Sequence, residues 1–309
     1  MSVRPLDLFD LPFIYKYRRQ LVPLDSARAL TQPDLLGMNA FFTNLNSARE
    51  IATAISKQDG NALLGQVTHL NSSPYASLGF LAPSHKDEMD PAPLLDYLAQ
   101  RAGGWGCQYL LAEVDECSPV FKSLRQAGFS MYAWQRVWKL TGAGQADGQD
   151  IWQETCDTDL VSVQSLYNQI VPALLQQVEP LPRRTSGLIC RQDGELRAYL
   201  SLRTGPTGIW VQPLIHPDAN CAAGWINALL SAIPERRSRP VYLCVRSYQA
   251  WLESMLEEMG ASAGERQAVM IRHLAVRQRA EEALPVKNAE PAWAKSATTV
   301  SRINPSDGE

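Results

Sequence analysis

Apolar and polar positions along this chain alternate with period two in some stretches and recur every three or four residues in others, so strands and helices can be laid out in order. Val3–Leu6 predicts a short strand. Asp10 stands where it would cap a helix, with Pro12 in the first turn and Leu11, Ile14 and Tyr17 along one side. From Leu21 to Asn46 the pattern is ambiguous: SARAL reads as helix, GMNAFFTNL as helix or loop. Glu50–Ser56 and Ala62–Leu70 predict strands joined at Gln58-Asp59-Gly60, a hairpin signal. Tyr75–Ala82 is a third strand ending at Pro83. After the polar loop SHKDEMD come a helix over Pro91–Ala102, a buried strand over Gln108–Val114, a helix over Pro119–Ala127 stopped by Gly128, and an aromatic-rich strand pair over Phe129–Leu140.

Thr141–Asp150, TGAGQADGQD, has no apolar periodicity and reads as a linker. The same programme then runs again. Asp159 caps a helix carrying Leu160, Val163, Leu166 and Tyr167. The stretch PALLQQVEPLPRRTS is irregular. Strands Gly187–Arg191 and Leu196–Leu202 meet at Gln192-Asp193-Gly194. Ile209–Ile215 is a strand, Ala222–Ile233 a helix, Val241–Val245 a strand, Gln249–Glu258 a helix stopped by Gly260, and Ala268–Leu274 a strand.

These two runs are in step. Gly60 and Gly194 lie 134 positions apart, as do Pro83 and Pro217. Gly128 and Gly260 lie 132 apart, as do Gln135 and Gln267. Four landmarks in the same order, each in the same predicted element, argue for two copies of one fold. The expected organisation is a domain over 1–140, a linker over 141–150, a second domain over 151–276 and a disordered tail over 277–309, where apolar periodicity fades into Pro, Ser, Thr and charge.

Composition narrows the classes. Of 309 residues, 45% are hydrophobic and 20% charged, as in a soluble protein with a core. A net charge of −3 without a dense basic block argues against a nucleic-acid partner. The opening MSVRPLDLFDLPF is unlike a signal peptide, and no run approaches the ~20 apolar residues that span a bilayer. Cys107, Cys117, Cys156, Cys190, Cys221 and Cys244 are scattered without a CxxC pair, as expected of reduced thiols in a cytoplasmic protein. Zinc spacing, a Walker loop, HExxH and GxSxG are all missing from the sequence, so no metal is expected.

The element order, with VRPLDLFDL at the start, LLAEVDECSPVFKSLRQAGFSMY in the first half and LIHPDANCAAGWINALL in the second, resembles the GNAT (Gcn5-related N-acetyltransferase) superfamily. The resemblance covers about 2–140 and 150–275. It implies an α/β fold with a mixed sheet, two GNAT-like acyl-CoA N-acyltransferase folds in tandem. It also implies acetyl-CoA or another acyl-CoA as co-substrate, and a small-molecule amine, peptide N-terminus or Lys as acceptor.

In that family the pantetheine arm pairs with a strand edge and the pyrophosphate meets amides at the next helix N-terminus. There partial positive charge and free N–H groups favour an anion. The matching positions of the second half are Leu214 and Ile215 on the strand, then Asn220, Cys221, Ala222, Ala223 and Gly224. The family's loop, roughly Gln/Arg-x-x-Gly-x-Gly/Ala, is matched by small residues without a base. In the first half, Ser84–Asp90 sets three carboxylates against one Lys and would repel a pyrophosphate.

The family commonly uses a Tyr four residues before the Gly that closes the helix after the fifth strand. Here those positions hold Leu124 and Leu256. The remaining acid and base candidates are Tyr248, with packing on the sheet as its alternative, His216, with a structural role beside Pro217 as its alternative, and Glu113 at the end of the first-half fifth strand. Cys117, at a helix start, and the pair Arg183-Arg184, in the irregular stretch, are weaker nucleophile and anion-binding candidates. Two functions stay open: an acyl-CoA-dependent N-acyltransferase with its donor site in the second half, or a non-catalytic GNAT-like binding or regulatory module.

Overall fold

The turn at Asp193-Gly194 illustrates how local chemistry sets the frame. Both residues have positive φ, 54° and 81°, the conformation a two-residue type I′ hairpin needs and Asp-Gly accommodates. It joins β9 (Gly187–Gln192) to β10 (Glu195–Thr204), with Gln192 opposite Glu195. In the first half β3 (Arg49–Gln58) and β4 (Asn61–Leu70) pair with Gln58 opposite Asn61, although Asp59-Gly60 lies outside the described residues. The computed structural model describes residues 2–32, 49–58, 61–70, 73–83, 89–140, 151–181, 187–219, 222–233 and 236–274. The chain from Met1 to Arg277 forms one unit, and the tail read as disordered lies outside the described residues.

Other first-half strands are β1 (Ser2–Pro5), β2 (Val22–Pro23), β5 (Tyr75–Ala82), β6 (Tyr109–Asp115) and β7 (Ser130–Leu140). The second half adds β8 (Gln153–Glu154), β11 (Ile209–Ile215), β12 (Val241–Arg246) and β13 (Ser262–His273). All belong to one mixed sheet, ordered β1-β3-β4-β5-β6-β13-β7-β12-β11-β10-β9-β8, with β2 paired to β5. Phe129–Leu140, expected as a strand pair, is one eleven-residue strand, because its antiparallel neighbours come from elsewhere in the chain. β13, the last strand of the second half, lies between β6 and β7 of the first, and β7 in turn pairs with β12.

The helices are α1 (Leu11–Tyr17), α2 (Ser26–Thr31), α3 (Ala92–Gly104), α4 (Pro119–Gln126), α5 (Leu160–Ile170), α6 (Ala173–Gln176), α7 (Ala222–Ala232) and α8 (Trp251–Glu258). α6 falls in the stretch expected to be irregular. Alternation along the strands sorts the core into two layers. On one face Leu94, Leu95 and Leu98 of α3 and Leu124 of α4 pack with Leu63 and Val67. The equivalent second-half layer joins Trp225, Ile226 and Leu229 of α7 and Leu252 and Leu256 of α8 to Val211, Ile215 and Leu243. On the opposite face α1 covers Ile55, Leu64 and Phe80, and α5 covers Ile189, Tyr199 and Leu214.

Asp10 and Asp159 precede α1 and α5 as expected, but neither carboxylate caps its helix. Each reaches back instead and closes the preceding 3₁₀ turn, taking the amide of Asp7 at 3.1 Å or of Cys156 at 2.9 Å. The C-terminal end of α2, from the first half, abuts the β10–β11 turn of the second. A Cβ on Gly205 would lie 2.1 Å from Thr31 O, so only glycine admits that approach.

Candidate active site

Two gaps in the sheet set up the site. The parallel strands β5 and β6 pair only at Tyr75–Tyr109, Ala76–Leu110 and Ser77–Leu111, then part. Likewise β11 and β12 pair only at Ile209–Val241, Trp210–Tyr242 and Val211–Leu243. Strands that part expose N–H and C=O groups on their inner edges, and these need partners.

The first gap is filled by main chain. β2 pairs with β5 at Val22–Leu81 and Pro23–Phe80. Leu24 then spans the opening: its N–H donates to Gly79 O at 3.0 Å and its carbonyl accepts from the Glu113 N–H at 2.8 Å. The second gap is bridged by one side chain. Gln249, 1% exposed, donates from Nε2 to Pro213 O at 2.7 Å and accepts at Oε1 from Ile215 N at 2.9 Å. A strand edge that already holds one carboxamide in two hydrogen bonds is a fit for another amide.

A cavity of about 130 Å³ lies across the sheet face between the gaps. Alternate residues of neighbouring strands line it: Tyr199, Ser201 and Arg203 from β10, Trp210, Gln212 and Leu214 from β11, and Leu111 and Glu113 from β6. Tyr75 and Ser77 from β5 and Tyr132 from β7 continue the wall. Asp25 at the start of α2, Arg246 and Tyr248 at the end of β12, and Tyr167 and Glu179 on the α5 side close it. Both halves therefore contribute.

Its charges are paired unevenly. Arg246, 6% exposed, is ion-paired with Glu179, donates to Gln135 Oε1 and lies 3.7 Å from Glu113. Burial opposes its charge, but Glu179 and the groups around it hold its pKa well above the ordinary arginine value. Tyr132 donates to Glu179 Oε1 at 2.7 Å, and burial and that carboxylate push its pKa well up. Tyr167 donates to Glu179 O at 2.6 Å and is raised to about 12, first by burial and then by Glu179. Burial and Glu179 likewise raise Tyr248, so it keeps its proton. Asp25 is raised by burial and by the charge of Glu113, against the pull of Arg203 and Arg28. Glu113 Oε2 accepts from Ser26 N at 2.9 Å.

A tandem GNAT protein from the clavulanic acid biosynthesis pathway, solved without acetyl-CoA, superposes with a TM-score of 0.51 and 14% identity over 88% of this chain and 98% of its own. A GCN5-related N-acetyltransferase from Sphaerobacter thermophilus gives 0.51 at 13% identity over 88% and 95%. The match runs through both halves of the sheet. The chain has the tandem GNAT fold. No protein-family model matches the chain, and no curated protein matches it in sequence.

Within this tandem GNAT fold, the residues that the sequence singled out go to different places. Glu113 and Tyr248, from opposite halves, line the same cavity. Leu214 lines it too, and Ile215 presents its N–H to Gln249. Ala222, Ala223 and Gly224 form the first turn of α7, and an added Cβ on Gly224 would meet nothing within 4 Å. Asn220, Cys221, Arg183, Arg184 and Ser84–Glu88 lie outside the described residues. His216 is not among the cavity's lining residues; its Nδ1 lies 3.4 Å from Arg197 Nη1 and 3.2 Å from the Asp218 N–H. Leu124 and Leu256 are wholly buried in the helix layer. Cys117 is exposed and precedes Ser118, whose hydroxyl caps α4.

Reading the sequence missed Asp25, Glu179, Arg203, Arg246 and Gln249. Arg246 ends the apolar run VYLCV, and a charge so placed on a buried strand was a signal to use. Gln249 left none, because its role depends on a strand edge 34 positions away. Among the described residues no group of three or more His, Cys, Asp or Glu is arranged to hold a metal, and no helix is long and apolar enough to cross a membrane.

Proposed function

We propose that the protein is an acyl-CoA-dependent N-acyltransferase acting in the cytoplasm, with its donor site in the gap between β11 and β12 and its acceptor amine in the adjoining cavity. The observation that carries this reading is the contrast between the gaps. Backbone closes the first for good, while a single rotatable carboxamide bridges the second, beside a cavity rich in carboxylates.

Acyl-CoA would supply the activated acyl group as its thioester. Pro213 O and Ile215 N would hold an amide of its arm once Gln249 turns aside. The N–H groups of the first turn of α7, for which a helix supplies no partner of its own, suit its phosphates, with Gly224 leaving room for close approach. Asp25 and Glu113 take the proton that an attacking ammonium must lose, and the raised pKa of Asp25 suits a base. Tyr248 holds a proton at its hydroxyl. The first domain, 1–140, shapes the acceptor side, and the second, 151–276, carries the donor.

The alternative, a GNAT-like binding module without chemistry, is favoured by the buried Leu256 and by Gln249 in the gap. Calorimetric titration with CoA, with thiol release from acetyl-CoA over a panel of primary amines, separates the two. The enzyme reading expects CoA binding that Gly224→Glu abolishes with the circular dichroism unchanged, and amine-dependent thiol release. Binding without release favours the module. No binding at millimolar CoA, by the wild type or by Gln249→Ala, sinks the donor site.

A further inference from the structure

Arg203 and Asp25 stand out because they attract each other across the cavity without meeting. Arg203 lies beside Tyr75 in the cavity wall, and among the described residues it makes no ion pair with a carboxylate. Asp25 spends one oxygen on the Arg28 N–H at 3.0 Å and makes no ion pair among the described residues. The other cation, Arg246, is already matched by Glu179 and Gln135. Arg203 is exposed at the end of its strand and Asp25 half-buried, so the cavity is open to a ligand, and one molecule carrying both charges answers the guanidinium and the carboxylate together.

We infer that the cavity takes a small zwitterion, an amino acid or ω-amino acid, with its ammonium against Asp25 and Glu113 and its carboxylate on Arg203 and the Tyr75 hydroxyl. A simple amine would leave Arg203 unanswered, and a simple carboxylate would leave Asp25 and Glu113 facing each other. Size agrees: cavities on the order of 150 Å³ hold one benzene, so about 130 Å³ suits a ligand of about six non-hydrogen atoms. Ser77, Ser201 and Gln212 add hydrogen-bonding groups along the wall for the remaining ammonium protons and carboxylate lone pairs. A guanidinium meeting a carboxylate in this setting gives the charge-assisted, two-pronged contact that discriminates against its amide or its parent amine.

As an assignment of acceptor class this rests on the transferase reading, but its test does not need turnover. The full chain is titrated calorimetrically, without CoA, with glycine, L-alanine, β-alanine and 4-aminobutyrate, and with propylamine and propionate as single-charge controls. At least one amino acid is expected to bind about tenfold or more tightly than either control. Arg203→Gln should erase its advantage over propylamine, and Asp25→Asn its advantage over propionate, while Arg203→Lys keeps part of the former and guards against a folding defect. Propylamine binding as tightly as the best amino acid, or no binding by any amino acid at millimolar concentration, overturns the inference. Amino-acid binding without acyl transfer keeps it and discards the transferase. Acetylation of propylamine alone does the reverse.

Discussion

Asp10 and Asp159 do the same job at the start of each half. Each binds the amide three residues before it with one oxygen and an arginine with the other, Arg4 at 2.8 Å and Arg191 at 2.7 Å. Burial raises the pKa of Asp10, but the bonds from Arg4, Lys57 and Asp7 outweigh it and bring it below the ordinary 3.8. For Asp159 the thiol and amide of Cys156 do most of the lowering, with Arg191 added, against burial. A carboxylate with a depressed folded pKa stabilises the fold above its unfolded value, and that contribution is lost as the pH falls through the folded one. Urea unfolding midpoints should therefore drop below about pH 4 in the wild type, and drop less in Asp10→Asn and Asp159→Asn. Near neutral pH each variant should be less stable by about 1–2 kcal/mol, the exposed ends of Arg4 and Arg191 keeping the figure small. An unchanged pH profile in both variants would rule this account out. The position of both aspartates was legible in the sequence, as a polar residue before an apolar helix. Their partners were not, because a cap and a turn-closing carboxylate look alike until a strand brings its arginine.

At the scale of elements, the two gaps began as equivalent parts of a repeat and are closed by different means. Ile209–Ile215 and Tyr75–Ala82 could be placed to the residue, since each is a short, largely apolar run with a Pro just beyond it. β2 could not, because two residues, one of them Pro, carry no periodicity. That short strand decides which half keeps a usable edge. In the second gap a ligand amide competes only with the two hydrogen bonds of Gln249, each of net worth about 1 kcal/mol. Gln249→Ala should therefore tighten CoA binding about tenfold while the fold survives, measured by the same calorimetry. Weaker binding in that variant would mean that Gln249 contacts the donor rather than standing in its way.

Across the whole molecule, the repeat predicted two copies of one fold but not how they join. A strand's own alternation says which face it buries and nothing about which chain segment lies beside it. Here β7 and β13 run antiparallel with Gln135 opposite Gln267, the same repeat position in each half, so a pseudo-two-fold axis passes between them. The amides meet there at 2.8 Å, Gln135 donating and Gln267 accepting. Two carboxamides on a two-fold axis could exchange bonds in both directions, but here only the one donated by Gln135 is made. The asymmetry is fixed by the Arg246 guanidinium on Gln135 and by the Ser26 hydroxyl, which donates to Gln267 at 2.9 Å. Because β13 separates β6 from β7, the first half on its own would hold β7 apart from the rest of its sheet, with two open edges. A fragment of residues 1–145 should accordingly fail as a monomer. It should instead form a symmetric dimer in which each β7 takes the place of the missing β13, Gln135 facing Gln135 across a true two-fold axis. Light scattering after gel filtration gives the mass, and adding residues 146–277 during refolding should convert the dimer to a one-to-one complex. A folded, monomeric 1–145 fragment would show that β7 can close onto β6 directly, and that the exchange of strands is a consequence of tethering rather than a requirement of the sheet.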